Sequence, residues 1–436
     1  MSHEVLGLVG LALLFVVIFI GFPIAFTLGA LSLIIGLIAL GPVVLDLAVL
    51  QTFSVMQDSV LASIPFFLFM GFLLEQSGLM ERLFTGIQQL LAGLRGSLYL
   101  AVLITATIFA AATGIVGSSV TLLGVMAAPS MTKSNYDVRM SAGAITAGGT
   151  LGILIPPSVM LIVMGPVVGV PATDLFAAAV IPGLMLSGLF IGWCLVRCWI
   201  NPALGPALPM ELRPTSKWPV IKDLMIGVVP VVVVILSTLG VILAGVATPT
   251  DAGAIGCAAT FMLTALSGKL TFQKIRACMR STLEISSMIL MLVVASNLFG
   301  AVFSRLGSAD YIANALMSLS LPPMIMLIVI LLLIFVLGWP LEWVPIVLIV
   351  IPITLPIVQA AGIDMIWFST LVAVTLQTAW LSPPVALSAY FLRGVVPRWQ
   401  LTDIYAGMVQ FMILQVVGVG LLIAFPQLAT WLPSIN

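Results

Sequence analysis

Helix-breaking residues and oxygen-bearing groups lie together inside long apolar segments of this chain. The stretch GTLGILIPPS, residues 149–158, belongs to a run from about 140 to 170 without a charged residue. Proline removes a backbone donor and clashes with the preceding turn, so the carbonyls before Pro156 and Pro383 are predicted to lose their helical partners. Glycine permits the close backbone approach that such a break needs. Unpaired carbonyl oxygens in an apolar setting are typical ligands of Na⁺.

Four irregular places carry this chemistry. TGIVGSSV and LGWPLEW interrupt two apolar segments near Gly117 and Pro340, and proline breaks follow near Pro156 and Pro383. Each interruption pairs naturally with the break of its own half, which gives two half-sites of hard oxygen ligands and predicts at least two sodium ions. The candidate glycines and hydroxyls are Gly114, Gly117, Gly149, Gly152, Ser118, Ser119, Thr121, Thr150, Thr378 and Ser382.

The same broken ends suit an anionic substrate, because half-helix N-termini carry a positive dipole and unpaired amides. No Lys or Arg lies in any of the four places, so amides, hydroxyls and bound cations would hold a carboxylate. Simpler alternatives stay open. Double prolines often only kink a helix, and Ser and Thr often bond to their own backbone. Glu342 is either a functional acid, since an acid at such depth is costly unless paired, or a helix cap. Trp339 is either a contact or a packing residue.

Composition places these sites in a membrane. Of 436 residues, 62% are hydrophobic and 7% are charged, against about a quarter charged in soluble domains. The apolar runs leave room for roughly ten crossings of a core about 30 Å thick. Four cysteines and one histidine offer no zinc or disulfide framework. Without a Walker A lysine, an HExxH motif or paired intramembrane aspartates, neither an enzyme nor an ATP-driven pump is indicated.

Punctuating motifs recur at nearly one offset. GFPIAFTLG matches ATPTDAGAIG, SGLMERLFTG matches LGSADYIANA, and LIPPSVML matches LSPPVALS, at offsets of 226 to 229 residues. Three markers in one order indicate two copies of one unit. The first copy is assigned to 1–200, with an irregular element at about 97–133 and a broken helix at about 140–168. A linker at 201–222 leads to the second copy at 223–436, with corresponding elements at about 322–361 and 366–392.

The irregular elements decide the topology. Each is either two spans or one re-entrant hairpin, and halves of about 15 to 18 residues are short for a span, which favours hairpins. Each copy then has five spans, the third at about 52–76 and 284–304, and the copies are inverted relative to each other. With the N-terminus outside, only Arg305 of fifteen basic residues lies outside, as the positive-inside rule requires. Both termini are then outside and the linker is cytoplasmic.

These motifs resemble the large, DctM-like membrane subunit of TRAP transporters, the tripartite ATP-independent periplasmic transporters. The resemblance covers essentially the whole chain, through SIPFFLFMGFLLEQSGL, VGSSV, AGGTLGILIPPS, TPTDAGA, LGWPLEW and LSPPVAL. It implies an all-α, elevator-type importer of organic acids in the bacterial inner membrane, driven by sodium. It also implies a periplasmic substrate-binding protein and a small four-helix membrane subunit. Since the chain starts at its first span, that subunit is expected as a separate chain; no nucleic acid partner is expected.

Carried over by position, the resemblance divides the cation ligands into two sites, with the substrate between the two hairpins. The first site comprises Gly117, Ser118, Ser119, Gly149, Thr150, Gly152 and Pro156. The second comprises Gly338, Glu342, Gln377, Thr378, Ser382 and Pro383. Substrate contacts are expected from Ser118, Thr121, Thr150, Trp339 and Thr378.

Two other functions remain open. A sodium/dicarboxylate symporter of the same superfamily shares the inverted hairpins but transports without a binding protein. An anion channel, the less favoured alternative, would conduct without saturation.

Overall fold

The computed structural model describes residues 2–208, 213–214, 216–318, 321–383 and 386–435. Within these ranges every regular element is a helix. Of the described helices, six are long and apolar enough to cross a membrane alone, and a seventh span results if the pair Ser63–Gln76 and Leu79–Leu90, bent by 57°, counts as one. The chain is therefore a multi-pass membrane protein. Parts of the predicted linker, residues 209–212 and 215, and Pro384 lie outside the described residues.

Many helices of the first half are short, and glycine or proline stands at many of their ends, although the helix Ala172–Ile200 continues through Pro182 over 29 residues. The helices of this half are α1 His3–Ile20, α2 Ile24–Leu40, α3 Val43–Gln57, α4 Ser63–Gln76, α5 Leu79–Leu90, α6 Ser97–Thr113, α7 Val116–Lys133, α8 Val138–Thr150, α9 Val159–Val168 and α10 Ala172–Ile200. A 3-10 turn, Leu151–Ile153, and the proline pair separate α8 from α9.

The second half is likewise a series of long, short and interrupted helices. They are α11 Lys217–Ile235, α12 Val241–Leu243, α13 Pro249–Leu266, α14 Phe272–Arg305, α15 Ser308–Met317, α16 Pro323–Leu337, α17 Trp343–Pro345, α18 Ile351–Ala360, α19 Met365–Ala379, α20 Leu387–Val395, α21 Leu401–Ala424 and α22 Gln427–Thr430. Single π-helical turns, Leu236–Gly240 and Ile346–Val350, join α11 to α12 and α17 to α18.

Helix length alone does not give ten crossings, because several predicted spans are helices of 10–17 residues. The third span, predicted over about 52–76, is also interrupted. Asp58 is the first residue after α3, and its carboxylate accepts hydrogen bonds from the amides of Val60 (2.8 Å) and Leu61 (3.3 Å) in the turn that precedes α4. Its counterpart, predicted over about 284–304, is one helix of 34 residues. Taken together, α3 and α4 differ from α14 by 229 residues at both ends.

The predicted hairpin at about 97–133 is the helix pair α6 and α7, which turns at Gly114 (φ 62°). The far ends of the two helices meet, because the Tyr136 hydroxyl lies 3.3 Å from Ser97 Oγ. The Tyr136 ring also packs edge-on against Tyr99, with 4.9 Å between ring centroids. In the second half, α16 and the α17–α18 segment flank a turn at 338–342. Insertion from opposite sides of a membrane stays a prediction for both hairpins.

The helices pack as two sets. The hairpin set consists of α6–α10 and α16–α22, in which α8 packs against α21 and α7 against α20. The frame set consists of α1–α5 and α11–α15, in which α4 packs against α13 and α2 against α14. The two sets meet along several helices, since α4 and α5 contact α6, α14 contacts α17, and α15 contacts α18. This interface holds the candidate site.

Candidate functional site

The tip of the first hairpin rests against the first proline break. A Cβ atom on Gly149 would lie 2.3 Å from Val120 Cγ2, so glycine is needed where α8 passes α7. A Cβ on Gly114 would lie 3.1 Å from the carbonyl oxygen of Pro157, and one on Gly152 would lie 3.6 Å from the amide nitrogen of Ile115. The structure therefore brings together the tip and the break that the sequence pairs.

The carbonyls freed by the prolines are partly occupied, which corrects the prediction that they are all open ligands. In the first break, the Ser158 hydroxyl donates to the carbonyl of Ile153. In the second, the Ser388 hydroxyl donates to the carbonyl of Trp380 (2.6 Å), and the Ser382 amide donates to that of Ala379 (3.2 Å). A buried carbonyl without a donor is costly, so serines that follow the prolines satisfy part of each break.

The second tip also reaches its own break, and the two breaks meet. A Cβ atom on Gly338 would lie 2.7 Å from Ala379 Cβ. The Gln377 amide donates to Thr150 Oγ1 (3.3 Å), and these residues are 227 positions apart. Among the described residues, Gln377 Oε1 and Trp339 Nε1 are buried without a hydrogen-bond partner. The contact zone between the breaks therefore retains unused polar atoms.

Most of the candidate hydroxyls donate to their own helix. The acceptors are Gly117 O for Thr121 (2.7 Å), Ala147 O for Thr150 (2.8 Å), Val374 O for Thr378 (2.8 Å) and Thr378 O for Ser382 (2.8 Å). Ser119 Oγ lies 3.4 Å from Thr113 Oγ1. Backbone bonding thus accounts for the protons, and each hydroxyl oxygen still has a lone pair for a cation.

A cavity of about 620 Å³ lies where the two tips face α4 and α14. We call it the central cavity; the described residues that line it include Leu68, Phe72, Glu75, Gln76, Gly114, Gly117, Ser118, Thr121, Ile285, Met288, Glu342, Trp343, Trp380 and Phe391. Of the predicted site residues, Gly117, Ser118, Thr121 and Glu342 line it, and so does the candidate glycine Gly114. The remaining predicted residues are Ser119, Gly149, Thr150, Gly152, Pro156, Gly338, Trp339, Gln377, Thr378, Ser382 and Pro383, and they lie outside its wall.

Two of the predicted substrate contacts, Thr150 and Thr378, are fully buried, and both lie with Trp339 beyond the wall of this cavity in the conformation described. The Trp339 ring packs edge-on against Phe335, with 5.5 Å between ring centroids. Trp343 and Trp380 occupy the wall instead. Trp339 therefore lies in the second tip without lining the cavity, whereas two other tryptophans line it.

Glu75 is a site residue that the sequence interpretation missed. It lies in the last turn of α4, lines the central cavity and accepts a hydrogen bond from Ser118 of the first tip. The signal was present, since an acid within FLLEQSGL is expensive at membrane depth. Glu342 occupies the position before α17, but its side chain makes no capping bond. The cap alternative is therefore wrong for this side chain, which faces the cavity.

A second, smaller cavity lies further along α14, between the same two sets of helices. Its volume is about 270 Å³, and its lining includes Ser54, Asp58, Val167, Asn297 and Pro352. On three elements the linings of the two cavities are one helical turn apart. The pairs are Val159 and Val163 on α9, Ile289 and Val293 on α14, and Val344 and Leu348 on the return of the second hairpin.

The fold is that of a membrane transporter. The YdaH transporter of Alcanivorax borkumensis superposes with a TM-score of 0.63 at 15% identity, covering 94% of this chain and 97% of that one. MtrF of Neisseria gonorrhoeae superposes with a TM-score of 0.61 at 13% identity, covering 89% and 85%. At these identities the likeness concerns the fold alone.

The family follows from the sequence match. The model of the tripartite ATP-independent periplasmic transporter, DctM component, matches residues 11–428, and the chain belongs to this family. It is 28% identical to the C4-dicarboxylate TRAP transporter large permease protein DctM of Rhodobacter capsulatus, over 99% of this chain and 98% of that protein. It is 26% identical to the sialic acid TRAP transporter large permease protein SiaM of Vibrio cholerae, over 96% of each chain. The chain is thus a transporter permease rather than an enzyme.

Proposed function

We propose that this chain is the permease subunit of a sodium-coupled importer of small organic acids in the bacterial inner membrane. It acts with a periplasmic substrate-binding protein and with a small four-helix membrane subunit carried on a separate chain. The family membership supports the class, and the relatives carry names of organic acid permeases. In one relative, the isethionate permease DctMQ of Oleidesulfovibrio alaskensis, this chain covers 58% of the length.

The central cavity is the observation that carries the proposal. It collects residues from the tips of both hairpins, including Ser118 and Glu342, against the frame helices α4 and α14. Behind the tips lie the two proline breaks with their hydroxyl and carbonyl oxygens. Sodium held between tip and break would tie each hairpin to the broken helix of its own half, and the substrate would then complete a site formed by both hairpins.

Inverted repeats and movement of the hairpin set against the frame set complete the proposal. If a two-fold axis relates two copies, equivalent residues touch only where they lie near that axis. Thr150 and Gln377 are 227 residues apart and share a hydrogen bond, which supports such an axis at the crossing of the two breaks. Two inverted halves around one site are the arrangement that alternating access uses, and this topology leaves both termini in the periplasm.

The test is uptake into proteoliposomes that contain this chain and its small membrane subunit, with the cognate binding protein and its labelled ligand outside. An inward Na⁺ gradient should drive accumulation, and replacing external Na⁺ with K⁺ should reduce it to the level of protein-free vesicles. Accumulation that ignores the Na⁺ gradient would reject the coupling. Equal uptake without the binding protein would favour the binding-protein-independent symporter, and non-saturating conductance would favour a channel.

A further inference from the structure

Four aromatic side chains, contributed by both helix sets, line the central cavity, and we call them together the aromatic wall. They are Phe72, Trp343, Trp380 and Phe391, and aliphatic side chains of α4, α7 and α14 accompany them. The rings of Trp380 and Phe391 are nearly parallel, with 6.5 Å between centroids and 13° between planes. Phe391 lies over the first tip, since a Cβ on Gly117 would lie 2.9 Å from its ring. A ligand here meets apolar surface over much of its area.

The charges in the cavity are negative. Among the described lining residues, the charged side chains are Glu75 and Glu342, and the polar ones are Gln76, Ser118 and Thr121. Glu75 already accepts the Ser118 hydrogen bond, whereas Glu342 makes no capping bond. An ionised carboxylate accepts hydrogen bonds and cannot donate one, so these side chains favour a ligand that presents hydrogen-bond donors.

The charge balance separates monoanions from dianions. Each sodium that neutralises Glu75 or Glu342 is no longer available to offset charge on the substrate. A second substrate carboxylate would therefore stand unpaired in a cavity with two acidic side chains and low dielectric, where like charges repel strongly. A single carboxylate can be directed at amides and sodium beside the tips. The charge of the lining therefore disfavours the binding of compact dicarboxylates.

The size of the cavity also disfavours compact dicarboxylates. Its volume of about 620 Å³ is within the range of sites that bury drug-sized ligands. A compact four-carbon acid would leave most of the aromatic wall uncovered. An acid with a bulky apolar body would cover the wall, and the removal of both apolar surfaces from water would add binding free energy.

We propose that the central cavity takes a monocarboxylic acid with a bulky apolar body that carries a hydrogen-bond donor, rather than a compact dicarboxylate. This inference rests on the proposed function and narrows its substrate class. Glu75 and Glu342 receive the donor, the aromatic wall covers the body, and the carboxylate points to the tips. Phe391 is then a specificity-determining residue, because it lies on both the wall and the first tip.

The test is calorimetric titration of the full chain with its small membrane subunit in nanodiscs, in NaCl and in choline chloride. The probes are phenyllactate, then 3-phenylpropionate, which differs from it only in lacking the hydroxyl donor, and the compact dicarboxylate succinate. Phenyllactate should bind about ten-fold more tightly than succinate, with 3-phenylpropionate between them.

Two variants test the role of Phe391. Phe391→Ala should weaken the binding of both aromatic acids several-fold, and Phe272→Ala, at an 80% exposed site of the frame set, should not. Glu342→Gln should reduce the advantage of phenyllactate over 3-phenylpropionate.

Succinate binding as tight as phenyllactate binding would overturn the inference, and so would aromatic affinity that survives Phe391→Ala or the absence of binding by all three probes at millimolar concentration. The two proposals fail separately. Preference for phenyllactate with equal affinity in choline chloride supports the cavity assignment and contradicts the sodium coupling. Sodium-dependent preference for succinate contradicts the cavity assignment and supports the coupling.

Discussion

Ser118 lies where the first hairpin tip meets the frame set, and it both contacts Glu75 and lines the central cavity. Its hydroxyl donates to Glu75 of α4, and its oxygen faces the central cavity. A cation that approached the tip would therefore meet the Ser118 oxygen and the Glu75 carboxylate together. The glycine-rich interruption TGIVGSSV identified Ser118 in the sequence. Glu75 belongs to another helix, 43 residues earlier, and only the fold brings the two residues into contact.

Ser118→Ala should raise the Na⁺ concentration for half-maximal uptake several-fold, because it removes one hard oxygen and leaves the Glu75 carboxylate without its donor. The stability cost should stay near 1 kcal/mol, the value of one hydrogen bond. Thr132→Ala, whose hydroxyl donates to Ala128 of its own helix at the far end of α7, is the matched control. Unchanged Na⁺ dependence would remove Ser118 from the site.

The serines after the prolines should contribute to stability. Ser158→Ala and Ser388→Ala each leave a break carbonyl without its donor, and we expect a loss of about 1 to 3 kcal/mol, seen as a lower melting temperature of the purified protein. Ser318→Ala is the control, because that exposed hydroxyl donates to Ala315 at the end of its own helix (2.7 Å). Equal melting temperatures for all three variants would show that water replaces the serine hydroxyls.

Residue types alone predicted that glycine, proline and hydroxyl residues mark the breaks, and the structure pairs each tip with its break. Residue types did not show which side chains face the cavity. Nothing in the sequence distinguishes Trp343 and Trp380, which line the cavity, from Trp339, which does not. The difference arises from the turn at 338–342 and from the packing of Trp380 against Phe391. Such choices depend on contacts between elements distant in sequence.

At the scale of elements, the crossing of α8 and α21 fixes the first break against the second half of the chain. Two glycines make this crossing possible: a Cβ on Gly407 would lie 1.9 Å from the carbonyl oxygen of Arg139, and one on Gly143 would lie 2.6 Å from that of Gly407. The Arg139 side chain forms an ion pair with Asp403 (3.0 Å) at the exposed end of the same crossing.

Gly407→Ala should destabilise the protein by about 1 to 3 kcal/mol, the usual cost of overpacking, because backbone rather than a flexible side chain blocks the added methyl. Gly420→Ala on the same helix is the control, since its Cβ would meet no atom within 4 Å. Thermal unfolding of the two purified variants measures the difference. A Gly407→Ala protein as stable as Gly420→Ala would mean that the two helices separate at no cost.

Apolar segments and the positions of glycine and proline predict the helices, except where a single polar residue interrupts a segment. The predicted third span ignores Asp58, which follows the last residue of α3 and holds the turn before α4 through the amides of Val60 and Leu61, whereas α14 is continuous over the corresponding segment. Hydropathy over a long window averages out one acid, so the break was invisible in that pattern. The hairpin boundaries, in contrast, agree with the glycine turns.

At the scale of the whole molecule, orientation can be tested at the two ends of α14. The positive-inside distribution predicts that Asp310, in α15, faces the periplasm and that Ser267, before α14, faces the cytoplasm. In a background with its four cysteines replaced by serine, Asp310→Cys should react with an impermeant maleimide in intact cells. Ser267→Cys should react only after the membrane is opened. The opposite pattern would invert the topology and contradict a periplasmic N-terminus.

The central claim is that the hairpin set moves against the frame set during transport, and a cross-link between the sets tests it most directly. Asn297 of α14 and Val167 of α9, one from each helix set, both line the second cavity, and neither is a proposed ligand. In the cysteine-replaced background, a cleavable bifunctional thiol reagent on Asn297→Cys with Val167→Cys should stop sodium-driven uptake, and cleavage should restore it. Each single variant treated alike should keep its uptake. Full uptake by the cross-linked protein would contradict the account.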